Sequence, residues 1–383
     1  MHHAPKYFIG LMSGTSADGI DAALVEFKDE QILLRGFISP ELPSSLKRRL
    51  IHLNESPTIH LEAFCQLSSD IAQQFIHATQ QLLTKQNMVA ESISAIGSHG
   101  QTIYHAPHIP MTLQIGHPAL IAKATAIQTA GDFRVDDMAL NGQGAPFAPA
   151  FHQVLFQQDS PCFVVNIGGI ANISYLPGKN DSIQAPLGCD TGPGNALMDE
   201  MCQEYFDRPF DQDGQLAKHG KINHALLAQL LEHAYFSQPQ PKSTGRETFN
   251  INWLKTQLED FSQKADSTLS NLDLISTLNA LTSSSIATEI QHVIQQQRIT
   301  DLTDIPVWIV GGGAFNQQLI KGIQDQLIHC KVQSSQVKQI NPNAIEAMMC
   351  AWLAKQRIDN QPVALSQVTG ASSDAVLGGL WHP

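Results

Sequence analysis

Charged residues are scarce in this sequence, and the charge that is present is predominantly negative. They make up 15% of the 383 residues and give a formal net charge of −12. The negative excess disfavours nucleic acid or an anionic membrane as a main partner, because both attract basic surfaces. The low charge also argues against disorder, and a hydrophobic content of 43% supports full cores. Because the chain exceeds the usual limit of a single core, we expect two domains.

Cysteine clusters and long apolar runs are absent as well. The six cysteines are scattered, with neither a Cys-x-x-Cys pair nor a Cys/His ligand spacing, which predicts buried thiols in a reducing compartment. No stretch approaches the roughly 20 apolar residues that a membrane-spanning helix needs, and no apolar leader precedes the first predicted strand. We therefore expect a cytoplasmic protein without a membrane partner.

A hairpin with a Ser-Gly-Thr-Ser tip is predicted near the start of the chain, in Phe8–Phe27. Its glycine and hydroxyl residues can offer N–H and O–H groups to an anion, and two acids, Asp18 and Asp21, follow the tip. Phosphate donors beside carboxylates suit a nucleotide–magnesium site. The segment is not a Walker A loop, because no Gly-Lys-Ser/Thr follows it. By itself it is also compatible with an ordinary hairpin.

Two further glycine turns follow predicted strands later in the chain. Val164–Ser174 contains a strand, a Gly-Gly pair and another strand, which again permits close approach of a ligand to the main chain. Two such hairpins, one in each half, suggest a duplicated fold that closes on a nucleotide from both sides. Trp308–Asn316 delivers three glycines to a predicted helix start, where N–H groups are exposed. Each turn is equally compatible with a tight turn that binds nothing.

Asp190 precedes a glycine/proline turn, and a helix is predicted to begin near Asn195. A carboxylate on such a turn is suited to act as a general base, and the alternative is a helix cap or an Asx turn. The neighbouring Cys189 is interpreted as a packing residue, since no histidine lies close to it in sequence. Ser237–Gly245 is predicted to be a surface loop because of its turn-forming residues.

Polar residues also lie at the ends of two other predicted elements. Ile127–Arg134 is predicted to be a strand whose end carries Asp132 and Arg134. These two side chains are interpreted as an anion-recognition pair, with a plain surface ion pair as the alternative. Asn341 is predicted to cap a helix with Glu346 in its first turns, where most glutamates are structural.

Taken together, motifs spread along the whole chain resemble those of the anhydro-N-acetylmuramic acid kinase family, a member of the sugar kinase/Hsp70/actin superfamily. The matching segments are Gly10–Asp21, Gly97–His105, Thr129–Arg134, Gly142–Pro149, Asn166–Ser174, Asp190–Asn195, Pro241–Phe249, Val310–Asn316 and Asn341–Ala347. The resemblance implies an α/β, two-domain actin-like (ribonuclease H-like) ATPase fold with a nucleotide cleft between the domains. On this basis we expect an N-terminal domain of residues 1–129 plus 366–383 and a C-terminal domain of residues 130–365.

The resemblance also implies the reaction. A kinase of this family uses ATP and Mg²⁺ to hydrolyse the 1,6-anhydro bond of 1,6-anhydro-N-acetylmuramic acid and phosphorylate O6, which gives N-acetylmuramic acid 6-phosphate in peptidoglycan recycling. Asp190 matches the catalytic residue. The positions implied to bind ATP are Ser13, Gly14, Thr15, Ser16, Ala17, Asp18, Gly19, Ile20, Asp21, Gly168, Gly169, Gly311, Gly312, Gly313 and Glu346. The positions implied to bind the sugar are His99, Gln101, Asp132, Arg134 and Asn172. Metal ligands are not assigned, and a homodimer is left open.

Two other functions compete with this one. A non-metabolic ATPase of the same superfamily, such as a chaperone or a filament former, would carry a client-binding domain or polymerisation surfaces, and no appended domain is expected here. An exopolyphosphatase-like hydrolase would act on polyanions, which a net charge of −12 without evident Lys/Arg clusters fits poorly. The expected partners are therefore ATP and a small amino sugar.

Overall fold

The computed structural model divides the chain into two compact units. Unit 1 comprises Met1–Phe151 and Ala344–Pro383, and unit 2 comprises His152–Asn343. The residues that the structure describes are 6–14, 17–29, 31–55, 58–181, 186–240, 242–264, 269–299 and 303–383. Within these residues no helix is both long and apolar enough to cross a bilayer.

Strands and helices alternate along most of the chain. The described residues form the strands β1 (Lys6–Ser13), β2 (Asp21–Lys28), β3 (Gln31–Ile38), β4 (Ile93–Ala106), β5 (Met111–Ile115), β6 (Thr129–Gly131), β7 (Cys162–Ile167), β8 (Ile170–Leu176), β9 (Leu187–Pro193), β10 (Ile305–Val310), β11 (Cys330–Ser334) and β12 (Gly379–Trp381). They form the helices α1 (Ser44–Glu55), α2 (Leu61–Gln86), α3 (Pro118–Thr125), α4 (Phe133–Ala139), α5 (Ala148–Phe156), α6 (Ala196–Phe206), α7 (Gln215–His219), α8 (His224–Leu231), α9 (Ile251–Lys264), α10 (Asn271–Gln296), α11 (Gln317–Gln326), α12 (Ile345–Ile358) and α13 (Ser366–Thr369).

The two units repeat one sheet topology. In unit 1, β1, β2 and β3 form an antiparallel meander, β4 lies parallel to β1, and β6 lies parallel to β4. In unit 2, β7, β8 and β9 form the same meander, β10 lies parallel to β7, and β11 lies parallel to β10. This shared order of three antiparallel and two parallel strands is that of a ribonuclease H-like sheet. The expected two-domain α/β architecture and its internal duplication are confirmed.

Buried strands and a long capped helix form the core of unit 2. The central strand β7 is apolar at almost every position, as expected for a strand that is covered on both faces. Helix α10 begins where the Ser270 hydroxyl accepts a hydrogen bond from the Asp273 N–H at 3.1 Å, which satisfies one of the free donors of its first turn. Most of the α10 side chains are buried, so this helix is a fixed support for the strands that it covers.

Helix α12 belongs to unit 1 because two glycines let it press against β1 and β4. A Cβ atom at Gly10 would lie 1.7 Å from the Ala347 carbonyl oxygen, and one at Gly97 would lie 1.9 Å from the Cys350 carbonyl oxygen. The unit boundaries therefore differ from the expected domains, which placed this helix in the C-terminal domain. The other expected boundary, at residues 129 and 130, would divide β6, which pairs with β4 and β12.

Two strand ends lie next to predicted site residues. Strand β4 continues past Gly100 to Ala106, because its second half pairs with β5. The strand predicted over Ile127–Arg134 is shorter in the structure and spans Thr129–Gly131. Asp132 there adopts a left-handed conformation, with φ of 60°, and α4 begins at the next residue.

Each unit contains a buried histidine that is held neutral. His99 in unit 1 and His152 in unit 2 are 7% and 1% exposed, and burial lowers the pKa of each to about 3. The unfolded chain binds protons at these side chains near pH 6.5, whereas the folded chain does so only near pH 3. Folding stability should therefore decrease as the pH falls through this window, because the unfolded state binds more protons.

Replacing His152 by glutamine should remove one part of this pH dependence. Between about pH 7 and about pH 5, the wild-type free energy of unfolding should fall by about 2 kcal/mol more than that of His152→Gln. Glutamine can still bond to Ser174 Oγ, which lies 2.9 Å from His152 Nδ1. Urea unfolding at several pH values measures the difference, with His329→Gln, an exposed histidine of the same unit, as the control. Equal pH dependence in the wild type and His152→Gln would contradict the buried neutral state.

Candidate active site

The turn between β1 and β2 is braced from beneath by Gln101 of β4. Its Oε1 accepts a 2.6 Å hydrogen bond from Ser13 Oγ, and its Nε2 donates to the carbonyl oxygens of Gly14 at 3.1 Å and Thr102 at 3.2 Å. Ser13 and Gln101 are both almost fully buried. Both ends of the Gln101 amide are therefore used within unit 1, which makes Gln101 a support for the turn. Its contact with the sugar stays a prediction.

The far side of the turn is tied to the segment before α1. The Ile20 N–H donates to the Pro40 carbonyl oxygen at 3.0 Å, and the Leu42 N–H donates to the Asp18 carbonyl oxygen at 3.1 Å. Gly19 bridges to the same segment, where a Cβ atom would lie 2.7 Å from the Pro40 carbonyl oxygen. These bonds hold the second half of the predicted phosphate-binding turn. Thr15 and Ser16, two of the residues predicted to bind ATP, lie outside the described residues.

The acids that follow the turn differ in their surroundings. The Asp18 carboxylate is 70% exposed and pairs with Lys47 at 2.5 Å, an arrangement typical of a surface ion pair. Asp21 is partly buried, and burial raises its pKa. Burial also raises the pKa of Glu346 in the first turn of α12, and the charge of Asp21 raises it further. Asp21 and Glu346 therefore form a pair of interacting carboxylates within unit 1, whereas Asp18 does not join them.

Arg134 is fixed by a neutral histidine. Its Nε donates to His99 Nε2 at 2.7 Å, and its Nη1 donates to the Gly144 carbonyl oxygen at 2.6 Å. Since Arg134 can only donate, His99 Nε2 must be the acceptor, and the proton lies on Nδ1, which is 2.9 Å from the Gly100 carbonyl oxygen. The guanidinium carbon also lies 5.5 Å from the centre of the Phe147 ring. Both nitrogens of His99 are thus occupied, and its role in this geometry is to orient Arg134.

Asp132 and Arg134 do not form the surface ion pair that was the alternative to anion recognition. Its side chain is exposed, and no ion pair among the described residues joins it to Arg134. Burial raises the pKa of Asp132, and His117 lowers it. The plain surface ion pair is therefore wrong, and Arg134 retains N–H groups beyond the two that His99 and Gly144 engage.

Three polar residues form a row across the sheet of unit 2. Asn166 of β7 is opposite Asn172 of β8, and Asn172 is opposite Asp190 of β9. Directly opposed residues project from the same face, with their Cβ atoms about 5 Å apart. All three are partly buried. The predicted sugar-binding residue Asn172 is therefore a neighbour of the predicted catalytic Asp190, and Asn166 extends the row towards β10, where it is paired with Val310.

Asp190 is held by a segment more than forty residues later in the chain. Its Oδ2 accepts hydrogen bonds from Ser243 Oγ at 2.8 Å and from the Thr244 N–H at 3.0 Å. Its own N–H donates to the Lys242 carbonyl oxygen at 3.1 Å, and its carbonyl oxygen accepts from Tyr235 at 2.7 Å. Burial raises the pKa of Asp190, while the bonds from Thr244 and Ser243 lower it. The carboxylate therefore has one fixed oxygen, and the described hydrogen bonds leave Oδ1 for a ligand.

These bonds exclude the structural alternatives for Asp190. Helix α6 begins at Ala196, and Asp190 lies within β9, so its carboxylate does not cap that helix. Its side chain bonds to a distant segment and not to its own turn, which excludes an Asx turn. The prediction of a surface loop over Ser237–Gly245 agrees with the exposure of Ser237, Gln238, Pro239 and Ser243, whereas Lys242 is buried and Pro241 lies outside the described residues. Lys242 there is 7% exposed, because it contacts a buried glutamate.

The glycine turns of unit 2 meet at the ends of β7 and β10. The Gly169 carbonyl oxygen accepts from the Gly194 N–H at 2.9 Å, and the Gly168 carbonyl oxygen accepts from the Asn195 N–H at 2.8 Å. Gly311 has a φ of 76°, and a Cβ atom there would lie 2.4 Å from Asn166 Oδ1. A Cβ atom at Gly313 would lie 2.4 Å from the Ile167 side chain, whereas one at Gly312 would meet nothing closer than 3.5 Å. Gly311 and Gly313 are thus needed for packing, and Gly312 faces open space.

Gly312 opens into a cavity of about 470 Å³ within unit 2. Its volume lies in the range of small-molecule sites, which are usually 300–1,000 Å³ as an order of magnitude. The lining residues are Asn195, Met198, Asp199, Phe210, Asp211, Gln212, Asp213, Gly312, Phe315, Asn316 and Asn343. The wall formed by residues 210–213 is not among the site residues predicted from the sequence. Its signal was the Asp-Gln-Asp-Gly turn, in which Asp213 and Gly214 both have positive φ.

Asp21 and Glu346 are candidates for the carboxylates that would hold a Mg²⁺ ion. No group of three or more His, Cys, Asp or Glu side chains that could hold a metal occurs in the part of the chain that the structure describes. A dedicated cage is not required, since Mg²⁺ in kinases is usually bound by one or two carboxylates together with substrate phosphates and water. In unit 1 burial and the charge of Asp21 raise the pKa of Glu346 and the charge of Arg134 lowers it, so these two carboxylates and one guanidinium influence the same place.

Known proteins match this chain over almost its whole length. The family model for anhydro-N-acetylmuramic acid kinase matches residues 6–383. The protein of that name from Hydrogenovibrio crunogenus is 50% identical over 378 residues, which cover 99% of this chain and 98% of that protein. The one from Shewanella frigidimarina is 43% identical over 378 residues, with 98% of each chain covered. A solved ROK family glucokinase from Streptomyces griseus in complex with glucose and AMPPNP is 13% identical, with a TM-score of 0.42, and the match covers 91% of this chain and 99% of that one. By the family match and the identity of its relatives, this chain belongs to the anhydro-N-acetylmuramic acid kinase family.

Proposed function

We propose that this kinase uses ATP and water to convert 1,6-anhydro-N-acetylmuramic acid into N-acetylmuramic acid 6-phosphate, a step of peptidoglycan recycling. Beyond family membership, the observation that carries the proposal is the carboxylate of Asp190. One of its oxygens is held by Ser243 and Thr244, and the other is left for a ligand. Since ATP is the phosphoryl donor, we place the reaction in the cytoplasm.

Asp190 serves as the general base in this reaction. It takes a proton from water, the water oxygen bonds to C1 of the sugar, and the bond between C1 and O6 breaks. O6 then bonds to the γ-phosphorus of ATP, and ADP leaves. Ordinary glycosidases need a second carboxyl group to protonate the departing oxygen. Here the phosphoryl group captures that oxygen, so one carboxylate suffices. Burial raises the pKa of Asp190, which makes it a stronger base.

The residues that we propose for sugar binding are polar side chains in fixed positions. Asn172 neighbours Asp190 in the register of the sheet and is placed to contact the substrate near the base. Arg134 is fixed by His99 and has N–H groups left over, which suits recognition of the lactyl carboxylate of the sugar. His99 and Gln101 contribute by holding Arg134 and the β1–β2 turn in place.

The nucleotide is bound by the glycine turns and the cavity of unit 2. The cavity beside Gly312 has the size for a nucleoside, and Phe210 and Phe315 in its wall offer aromatic faces. Backbone donors of the Gly168–Gly169 turn would meet the phosphates. In unit 1, Asp21 and Glu346 are the carboxylates that would hold Mg²⁺, whose chemistry in a kinase is to neutralise charge on phosphate oxygens.

An isotope experiment tests the reaction. With ATP and the anhydro sugar in H₂¹⁸O, the sugar product should gain the mass of one labelled water and one phosphoryl group. Fragmentation should place the label at C1 and none in the phosphate, because water attacks carbon and O6 attacks phosphorus. ATP hydrolysis without the sugar is the control. Label in the phosphate, or equal ATP turnover without the sugar, would instead indicate an ordinary ATPase.

A further inference from the structure

A buried ion pair lies behind the segment that holds Asp190. Lys242 Nζ and Glu289 Oε1 are 2.5 Å apart, and the two side chains are only 2% and 3% exposed. Glu289 projects from α10, most of whose side chains are buried. Lys242 lies in the chain between Tyr235 and Ser243, the two hydroxyl residues that bond to Asp190. The pair therefore connects a fixed helix to the contacts of the proposed base.

The bonding capacity of both charges is used. Lys242 Nζ also donates to the carbonyl oxygens of Tyr235 at 3.3 Å and Phe236 at 3.2 Å, so its three N–H groups have acceptors. It lies 4.8 Å from the centre of the Tyr235 ring. The other oxygen of Glu289 accepts from Gln240 Nε2 at 2.6 Å. His292 Nδ1 lies 3.6 Å from that same Glu289 oxygen. Together these contacts fix Lys242 relative to Tyr235, Phe236 and α10.

Stability alone is a weak reason for such a pair. Removing two charges from water is costly, and apolar residues of similar volume often stabilise a protein equally well. An apolar pair would make no directional hydrogen bonds. The ion pair with its hydrogen bonds therefore defines the position of the Lys242 backbone more closely than an apolar pair would. That backbone accepts the N–H of Asp190, and the next two residues donate to its Oδ2. Strand β9 lies at the edge of its sheet, with β8 on one side. On the other side, Asp190 bonds to the segment that contains Lys242.

We propose that Lys242 and Glu289 are positioning residues of the reaction, which fix the segment of Ser243 and Thr244 so that it holds one oxygen of Asp190 and aims the other at water. The inference rests on the proposed role of Asp190 as the base. Neither residue touches the substrate in this account. They act through the backbone of Lys242 and through the two donors that follow it.

The decisive variant replaces both charges, Lys242→Met together with Glu289→Met. It leaves no unpaired buried charge, so its melting temperature should stay close to that of the wild type. Its kcat should nevertheless fall by about 10–100-fold, since a displacement of about 1 Å in a catalytic group costs up to about that factor. The KM for ATP should not change. Lys321→Met, which breaks an exposed ion pair on α11, is the control and should match the wild type.

The pH profile supplies a readout that a merely structural pair would not move. Bonds from Ser243 and Thr244 lower the pKa of Asp190, so loosening them should shift the acidic limb of kcat to higher pH. The charge of Glu247 also raises this pKa and is unchanged in the double variant. Cys189 and Tyr235, the other titratable neighbours of Asp190, remain neutral, because burial raises the pKa of each. A folded double variant with wild-type kcat and an unmoved limb would overturn the proposal.

The experiments distinguish a wrong positioning role for Lys242 and Glu289 from a wrong assignment of Asp190 as the base. If Asp190→Asn retains turnover, the base assignment is wrong, whatever the double variant does. The positioning role of Lys242 and Glu289 is then tested by hydrogen exchange at the Asp190 amide, which donates to the Lys242 carbonyl oxygen. Faster exchange in the folded double variant supports this positioning role, and unchanged protection overturns it.

Discussion

Asp190→Asn should abolish most of the turnover and leave ATP binding intact. Asparagine can still accept the bonds from Ser243 and Thr244 at its oxygen, so the segment should keep its position. Its amide nitrogen cannot take a proton from water, so kcat should fall by about 10²–10⁴-fold, the usual contribution of a general base. Steady-state kinetics and calorimetric titration with ATP measure the two effects separately.

Cys189→Ala is the matched control for this variant. Cys189 precedes Asp190 on β9 and packs against the core of unit 2. Burial raises the pKa of its thiol to about 12, so it is not a ready nucleophile. The alanine variant should therefore keep most of the wild-type rate. Near-wild-type turnover by Asp190→Asn would refute the mechanism, and loss of ATP binding by that variant would show a wider disturbance of the fold.

The wild-type rate should also depend on pH in a defined direction. Asp190 acts in its ionised form, so kcat should fall as the pH drops through its pKa. Because burial raises that pKa, the limb should lie above the range of an ordinary aspartate. His99 should contribute no limb near neutral pH, since burial lowers its pKa to about 3.

Local signals in the sequence predicted much of the architecture. The hairpin around Ser13 and the one around Gly168 were read from strand-forming residues on either side of glycine, and both are present. The repeat of this pattern in two halves indicated the duplication that the sheet orders confirm. Such features depend on neighbouring residues, which is why they can be read from the chain directly.

Contacts between distant residues could not be predicted in this way. Nothing near Asp190 in the sequence indicates that Ser243 and Thr244 bond to it, and nothing near Lys242 indicates that Glu289 is its partner. A lysine in a segment of turn-forming residues is normally exposed, so the surface-loop prediction followed the usual rule. Burial of Lys242 required a glutamate from α10, and only the tertiary structure brings it there.

Glycine was the residue most easily misread. Gly10 and Gly97 were matched to motifs of a nucleotide kinase, yet the space beside each is filled by the backbone of α12. Gly311 and Gly313 are also required for packing, and Gly312 is the glycine of that turn that faces the cavity. A glycine that admits a ligand and one that admits a helix leave the same mark in a sequence.

Gly97→Ala should therefore destabilise unit 1 strongly. The new methyl group would lie 1.9 Å from the carbonyl oxygen of Cys350 and 2.7 Å from its carbonyl carbon, both backbone atoms of α12. The helix must move away, and overpacking of this kind costs about 3 kcal/mol. For a unit of this size, the melting temperature should fall by about 6–12 °C. Since α12 carries Glu346, the variant should also bind Mg²⁺ and ATP less tightly, which titration of the folded protein at low temperature measures.

Gly36→Ala is the control that separates backbone from side-chain crowding. Gly36 lies on β3 of the same sheet, and a Cβ atom there would be 2.5 Å from the Gln86 side chain. The crowding atoms are the far end of a flexible chain that can rotate away, so the melting temperature should change little. Equal loss of stability in the two variants would contradict the argument, because the cost would then follow the substitution itself and not the position of α12. A stable Gly97→Ala with unchanged nucleotide binding would show that the helix can move without disturbing Glu346.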